Sequence, residues 1–281
     1  MGDLGKFPQI VYNVGKLNLG DTPKKPFVNM KKILIFAIIL IIAAGIYLNR
    51  AYAHIYWTLG AAKLDLIDNQ AQYFINSANQ ANDMETANIV YSALGDSLTA
   101  GAGAGDYKLA LPYLLAEKMA GGEKTVILNN HSVPGIETSD IITDHLEATL
   151  SDNPDVITVL IGVNDIHNKV SVDKFRQNYE AILSRLKQGT KAEIYVINLP
   201  FIGADSLMLP PYQRLFDAKT LEFNEIIKEL AAKYSIKYID LYTPTVELFK
   251  RSGDHYSKDL FHPSAKGYQI WADLIYADIN K

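Results

Sequence analysis

The chain of 281 residues has 48% hydrophobic and 21% charged residues, a balance typical of a globular protein with one substantial domain. It contains no cysteine, which excludes disulfides, thiolate metal ligands and a cysteine nucleophile. Residues 1–32 hold six lysines and two aspartates, so the remainder carries 21 basic against 29 acidic groups. An acidic main body argues against nucleic acid as a partner.

The N-terminus is predicted to be a basic flexible tail over residues 1–32, because it is rich in Gly, Asn, Lys and Pro without sustained periodicity. Ile33–Leu48 then runs for sixteen residues without a charged or amide side chain. As a helix this stretch would reach about 24 Å, short of a hydrocarbon core of roughly 30 Å. Flanking lysines and a surface apolar on all sides favour lipid over a buried core helix.

Two interpretations are open for residues 33–59. In one, the segment is a signal peptide cleaved after the A-x-A-like sequence Ala51-Tyr52-Ala53. In the other, it is an uncleaved membrane anchor extended past Arg50, with Tyr52, Tyr56 and Trp57 among an interfacial aromatic belt. Lysines before the segment and acidic sequence after it place the main body outside the cytoplasm, either membrane-anchored or secreted.

Residues 60–88 are rich in Ala, Asn and Gln and are predicted to be a stalk or an N-terminal helix packed on the domain. From residue 89 to 281, short apolar runs alternate with segments of helical spacing, which defines the main domain. The predicted helical segments lie at residues 111–119, 175–186, 223–230 and 271–275. The predicted strands are Ile89–Leu94, Thr125–Asn129, Val156–Ile161, Ile194–Leu199 and Ile236–Leu241. This alternation predicts an α/β fold of three layers, α/β/α, with a central parallel sheet of about five strands. In such sheets ligands bind beyond the carboxyl ends of the strands.

The residues that follow these strands carry the chemical signals. Gly95-Asp96-Ser97-Leu98-Thr99-Ala100-Gly101 follows the first strand, where Ser97 is either an exposed nucleophile on a tight turn or a helix N-cap. Asn130–Gly135 follows the second strand, and Gly135 allows a turn that brings an N–H close to a ligand.

Two further motifs complete the set. Gly162-Val163-Asn164-Asp165 follows the third strand, and the neutral amide of Asn164 suits a developing oxyanion, although an Asx-turn is the alternative. In Asp259-Leu260-Phe261-His262 the aspartate can orient the histidine ring from one side, leaving the other nitrogen to face a serine.

Together, the four motifs resemble the SGNH hydrolase superfamily, also called GDSL esterases and lipases. The resemblance covers roughly residues 89–281, with the name residues at Ser97, Gly135, Asn164 and His262. It implies a flavodoxin-like fold, a catalytic triad of Ser97, Asp259 and His262, and no metal or cofactor. It also implies an oxyanion hole formed by the backbone N–H groups of Ser97 and Gly135 and the amide of Asn164.

The implied activity is hydrolysis of a carboxylic ester through an acyl-enzyme. The superfamily's substrates leave open a lysophospholipid, a thioester, an aryl ester or an acetylated carbohydrate. Two alternatives remain: an acyltransferase on the same fold, and a non-catalytic lipid- or carbohydrate-binding module.

Other polar residues are predicted to have lesser roles. Asp96 and Asp165 are expected to bind backbone N–H groups around their turns. His255 is expected at the surface, and His131 either at the surface or in contact with substrate. The apolar, proline-bearing loop of residues 200–212 lines an acyl pocket, forms a lid or packs onto the domain.

Overall fold

The computed structural model describes residues 30–62, 72–75, 89–121, 124–251 and 253–281. Residues 1–29 of the predicted tail and most of the region between residues 63 and 88 lie outside this part of the chain. Residues 30–32 were predicted to belong to the flexible tail, but they form the first turn of the N-terminal helix, because the helix begins before the apolar run. The helices are α1 (Met30–Ala62), α2 (Ser97–Ala100), α3 (Leu111–Ala120), α4 (Thr138–Asp140), α5 (Leu146–Ser151), α6 (Val163–His167), α7 (Val172–Gly189), α8 (Tyr212–Lys233), α9 (Tyr242–Phe249) and α10 (Ala265–Ile279). The strands are β1 (Gln72–Ile75), β2 (Ile89–Gly95), β3 (Val126–Ser132), β4 (Val156–Leu160), β5 (Glu193–Ile197) and β6 (Lys237–Ile239).

The strands form one six-stranded sheet in the order β1-β3-β2-β4-β5-β6. The five strands from β2 to β6 are parallel, which confirms the predicted parallel sheet. The chain goes from β2 to β3 on one side and then to β4 on the other. The carboxyl end of β2 therefore lies at the point where strand order reverses, where α/β sheets bind ligands.

One strand was not predicted. Gln72–Ile75 pairs antiparallel with β3 at the edge of the sheet, with Gln72 opposite Asn129 and Ile75 opposite Val126. Neither a stalk nor a helix accounts for these four residues within the range 60–88. Their sequence, Gln-Tyr-Phe-Ile, is too short to show a period, and the strand is stabilised by pairing with a distant segment.

The core lies on both faces of the sheet. Its strand residues are almost fully buried, including Tyr91, Ala93, Leu94, Ile157 and Val159, each 0% exposed. Helices α3, α7, α8 and α10 coincide with the predicted helical segments and contribute the large side chains Phe175, Tyr179, Phe223, Tyr268 and Trp271. Burial on both faces explains why the strands show no polar alternation in sequence.

α1 is a continuous helix of 33 residues, and the mean hydropathy of its most apolar 18-residue stretch is 2.3. Its length and composition are sufficient to cross a membrane, and a signal sequence near an N-terminus has the same properties. At 1.5 Å per residue the helix spans about 50 Å, longer than the sixteen-residue apolar run alone. Residues 1–46 and 47–281 separate into two compact units, so the C-terminal part of α1 belongs to the same unit as the sheet.

Candidate active site

Ser97 lies where β2 ends and α2 begins. Asp96 is the N-cap of α2, its Oδ1 accepting a hydrogen bond of 2.9 Å from the backbone N–H of Leu98. A Cβ on Gly95 would come within 2.1 Å of Thr99 Oγ1 and 2.3 Å of the Leu160 carbonyl oxygen, distances that only glycine allows. The tight turn after β2 therefore sets the position of the serine.

His262 and Asp259 come from the loop before α10. His262 Nε2 lies 2.9 Å from Ser97 Oγ, and His262 Nδ1 lies 2.5 Å from Asp259 Oδ2. The structure thus brings together three residues separated by up to 165 positions in sequence into one hydrogen-bonded chain. The histidine side chain is 15% exposed and the aspartate side chain 2% exposed, so the chain of bonds runs from the cleft into the protein.

The other carboxylate oxygen of Asp259 is also occupied. Oδ1 accepts hydrogen bonds from Ser257 Oγ at 2.6 Å and from the backbone N–H groups of Phe261 and His262 at 3.0 Å each. Burial opposes ionisation of this carboxyl, but the hydrogen bonds, led by that from His262, outweigh it and hold the pKa of Asp259 below its usual value. Ser257 was not singled out from the sequence, because a serine two residues before an aspartate is not in itself a signal for a bond between the two side chains.

Gly135 and Asn164 lie in the same cleft as Ser97 and His262. Gly135 has φ +87°, and a Cβ there would meet no atom within 4 Å, so its backbone lies against open space. Asn164 Nδ2 donates a hydrogen bond of 2.9 Å to the carbonyl of Ile136, which ties the third motif to the second. All five residues predicted as site residues are therefore brought to one cleft.

The two buried aspartates of the motifs hold the loops in place, as expected. The Asp165 carboxylate accepts hydrogen bonds from Thr138 Oγ1 at 2.5 Å and from the Thr138 N–H at 3.0 Å, and burial raises the pKa of Asp165 to about 6. Asp96 is fully buried, and because burial disfavours the charged carboxylate, the pKa of Asp96 is raised to about 7.

The histidines other than His262 have distinct environments. The prediction for His255 was wrong: it is 6% exposed, its ring packs on Phe249 at 4.8 Å between centroids, and its Nε2 lies 3.0 Å from the Arg251 carbonyl oxygen. The rings of Phe249 and Tyr256, which lie close to it in sequence, pack on this loop histidine and make it a core residue. His131 is partly buried and pairs with Asp152 at 2.6 Å, whereas His167 lines the cleft.

The cleft is a cavity of about 800 Å³ whose accessible lining is mostly apolar. Met208 and Tyr212 from the loop of residues 200–212 line it, while Phe201, Ile202 and Leu207 of the same loop are buried. One part of the loop therefore lines the cleft and another part packs onto the domain. Sequence reasoning missed another part of the lining, from the C-terminal part of α1: Tyr52, Ile55, Tyr56 and Leu59.

The structure resembles known ester hydrolases. A lipase/acylhydrolase from Enterococcus faecalis is 24% identical with a TM-score of 0.55, covering 68% of this chain and 95% of its own. An acetyl xylan esterase from Geobacillus stearothermophilus is 20% identical with a TM-score of 0.56, covering 69% of this chain and 95% of its own. At these identities the likeness concerns the fold.

The amino-acid sequence is similar to that of a known lipase and matches a family of acylhydrolases. The spore germination lipase LipC of Bacillus licheniformis is 28% identical over 213 residues, which cover 66% of this chain and 94% of that protein. The model of the GDSL-like Lipase/Acylhydrolase family matches residues 93–270. The chain is a carboxylic ester hydrolase. It belongs to the GDSL-like Lipase/Acylhydrolase family, which confirms the resemblance seen in its four motifs.

Proposed function

We propose that the protein hydrolyses its ester through a covalent acyl-enzyme formed on Ser97. The observation that carries this proposal is the continuous hydrogen-bonded chain Ser97–His262–Asp259. A serine hydroxyl is a weak nucleophile at neutral pH, and a histidine within hydrogen-bond reach, itself oriented by a carboxylate, activates it.

The roles follow from the hydrogen bonds. Ser97 Oγ attacks the carbonyl carbon while His262 Nε2 accepts its proton, and Asp259 keeps the remaining N–H on Nδ1. When the carbon–oxygen bond to the alcohol breaks, His262 returns the proton to the leaving oxygen. Water then attacks the acyl-enzyme by the same route, releasing the acid and regenerating Ser97.

The negative charge on the tetrahedral intermediate needs donors at the mouth of the site. We assign the backbone N–H groups of Ser97 and Gly135 and the side chain of Asn164 to this task. The amide of Asn164 has two N–H groups, and one is used by the Ile136 carbonyl, so the second remains for the oxyanion. Losing one donor of an oxyanion hole typically costs about 3–4 kcal/mol of transition-state stabilisation.

A fluorophosphonate probe tests the nucleophile directly, because it phosphonylates an activated serine. Wild type is expected to be labelled and to hydrolyse p-nitrophenyl esters, whereas Ser97→Ala is expected to do neither. Ser151→Ala is the matched control, because Ser151 is exposed and donates only to the Ala148 carbonyl. Equal labelling of wild type and Ser97→Ala would overturn the assignment.

We also propose that α1 is retained as a membrane anchor that holds the hydrolase outside the cytoplasm. The apolar stretch of α1 is preceded by Lys31 and Lys32 and followed by an acidic main body, which supports this orientation by the positive-inside tendency. Burial of Ala51, 2% exposed within a helix that continues to Ala62, disfavours cleavage at the A-x-A-like sequence, because a protease needs an extended and accessible chain.

A further inference from the structure

One face of the C-terminal part of α1 lies along the catalytic cavity. Tyr52, Ile55, Tyr56 and Leu59 line that cavity together with Ser97 and His262. Their positions follow the pattern i, i+3, i+4, i+7, which places four side chains on one side of a helix. A segment that the sequence assigns to the membrane or to a signal peptide therefore contributes to the substrate cavity.

This part of α1 is fixed to the hydrolase by specific contacts. Tyr47 donates a hydrogen bond of 2.8 Å to the Pro210 carbonyl, and Tyr212 donates one of 3.1 Å to the Leu48 carbonyl. His54 Nε2 lies 3.1 Å from the Ser206 carbonyl oxygen. These contacts and the burial of Ala51 fix this part of α1 against the hydrolase.

Aromatic contacts shape the cavity wall. The Tyr52 and Tyr56 hydroxyls are 2.9 Å apart, and the Tyr52 ring lies 5.6 Å from that of Tyr212. The Tyr56 ring lies 5.8 Å from that of His167. The two tyrosine hydroxyls thus form a hydrogen bond with each other, and the rings give the cavity a wide apolar surface.

Apolar side chains from other elements also line the cavity. Its lining from outside α1 includes Ile166, Val170, Val172, Met208, Leu215 and Phe216. A cavity of about 800 Å³ is within the range that encloses most of a drug-sized ligand, roughly 300–1,000 Å³. An acetyl group has two carbons and would leave most of this apolar surface unfilled.

We propose that the face of α1 formed by Tyr52, Ile55, Tyr56 and Leu59 binds the acyl chain of the substrate, and that it makes the enzyme selective for esters of medium and long acyl chains over acetyl esters. The proposal rests on the acyl-enzyme function proposed above. Each methylene that enters an apolar site strengthens binding by about fourfold, so a chain lying along this face gains affinity that acetate lacks. The four residues are specificity-determining residues outside the part of the chain matched by the family model.

The experiment compares full-length variants in detergent on p-nitrophenyl acetate, butyrate, octanoate and dodecanoate. Leu59→Trp fills the cavity, and Ala61→Trp is the matched control because Ala61 is exposed on the same helix and does not line the cavity. A short-chain ethyl fluorophosphonate counts active sites in every preparation. Ile55→Phe is a smaller insertion on the same face and replaces Leu59→Trp if that variant is not labelled.

Wild type is expected to hydrolyse octanoate with a higher kcat/KM than acetate. Leu59→Trp is expected to lower the ratio of octanoate to acetate kcat/KM by about tenfold or more, and Ala61→Trp is expected to leave it within about twofold of wild type. A wild type that prefers acetate, or a ratio that does not change in Leu59→Trp or Ile55→Phe, would overturn the inference while leaving Ser97 as nucleophile. Absence of both probe labelling and hydrolysis in wild type would overturn the proposed function as well.

Discussion

The two carboxylate oxygens of Asp259 make different sets of hydrogen bonds. Oδ2 binds the His262 ring, and Oδ1 accepts three hydrogen bonds that fix the loop around it. An asparagine keeps one carbonyl oxygen for the loop but presents an N–H to His262 Nδ1. The ring would then carry its proton on Nε2 and could not accept the proton of Ser97.

The expected result for Asp259→Asn is a fall in kcat of about 10³–10⁴-fold with a melting temperature close to that of wild type. Steady-state hydrolysis and thermal unfolding measure the two effects. Ser257→Ala serves as the comparison, because it removes one hydrogen bond to Oδ1 and leaves the contact with the ring, so its kcat should fall far less. A matched loss of activity in both variants would contradict the assigned role of Oδ2.

Because Asp96 is buried, the stability of the protein is expected to depend on pH. Its pKa of about 7 in the folded protein lies above the value of about 3.9 expected in an unfolded chain. Between these two pH values the folded state holds the proton more tightly than the unfolded chain does. The contribution of Asp96 to the free energy of unfolding is therefore fully present below about pH 4 and is lost as the pH rises toward 7. Asp165, with a pKa of about 6, contributes in the same direction.

The free energy of unfolding of wild type, measured with urea at pH 5 and pH 8, should therefore decrease with pH. In Asp96→Asn the side chain stays neutral and its oxygen can still accept from Leu98 N–H, so the decrease should be smaller. One pKa unit corresponds to about 1.4 kcal/mol, which makes the difference measurable. Asp173→Asn, a change at an exposed aspartate, should behave as wild type; an unchanged pH dependence in Asp96→Asn would refute the role of its burial.

At the scale of elements, the junction between β2 and α2 depends on the absence of one side chain. A methyl group on Gly95 would overlap Thr99 Oγ1 and the Leu160 carbonyl, and the carbonyl belongs to the neighbouring strand β4. We expect Gly95→Ala to destabilise the protein by about 2–3 kcal/mol and to reduce probe labelling of Ser97. Gly105→Ala is the control, since Gly105 has φ +81° and open space around it, so only backbone strain of about 1 kcal/mol is added. Similar melting temperatures for the two variants would argue against a crowded junction.

The elements also show what could be read from the sequence. The five parallel strands and the helices α3, α7, α8 and α10 were predictable, because apolar runs and helical spacing are local patterns. The meeting of Ser97, Gly135 and Asn164 was predictable because each follows a strand, and parallel strands bring their carboxyl ends to one edge. Asp259 and His262, which precede α10, were assigned from the resemblance of the four motifs. β1 was not predictable, since it depends on a partner far away in sequence. The burial of His255 was not either, because it follows from how the ring of Phe249 packs on it in the folded loop, and no hydrophobic period marks that loop. The cavity-facing side of α1 carried a signal in its i, i+3, i+4, i+7 spacing, but the overall apolar character of the segment obscured it.

At the scale of the whole molecule, the proposed anchor predicts which chain is found in cells. Because Ala51 is buried in the continuous helix α1, we expect the mature protein to remain in the membrane fraction with residues 30–53 present. Mass spectrometry or N-terminal sequencing of protein from membrane and medium measures this. A mature chain that begins at His54 and is recovered from the medium would contradict the anchor.

The contact between α1 and the catalytic cavity has a consequence for shedding. A protease that cut the chain after Ala53 would release the hydrolase and, with the same cut, remove Tyr52 and the Tyr47 contact to Pro210. The soluble product would keep Ser97, His262 and Asp259 but would have a more open cavity. Release from the membrane would therefore change which esters the enzyme prefers, because the same helix determines both the location of the enzyme and its selectivity.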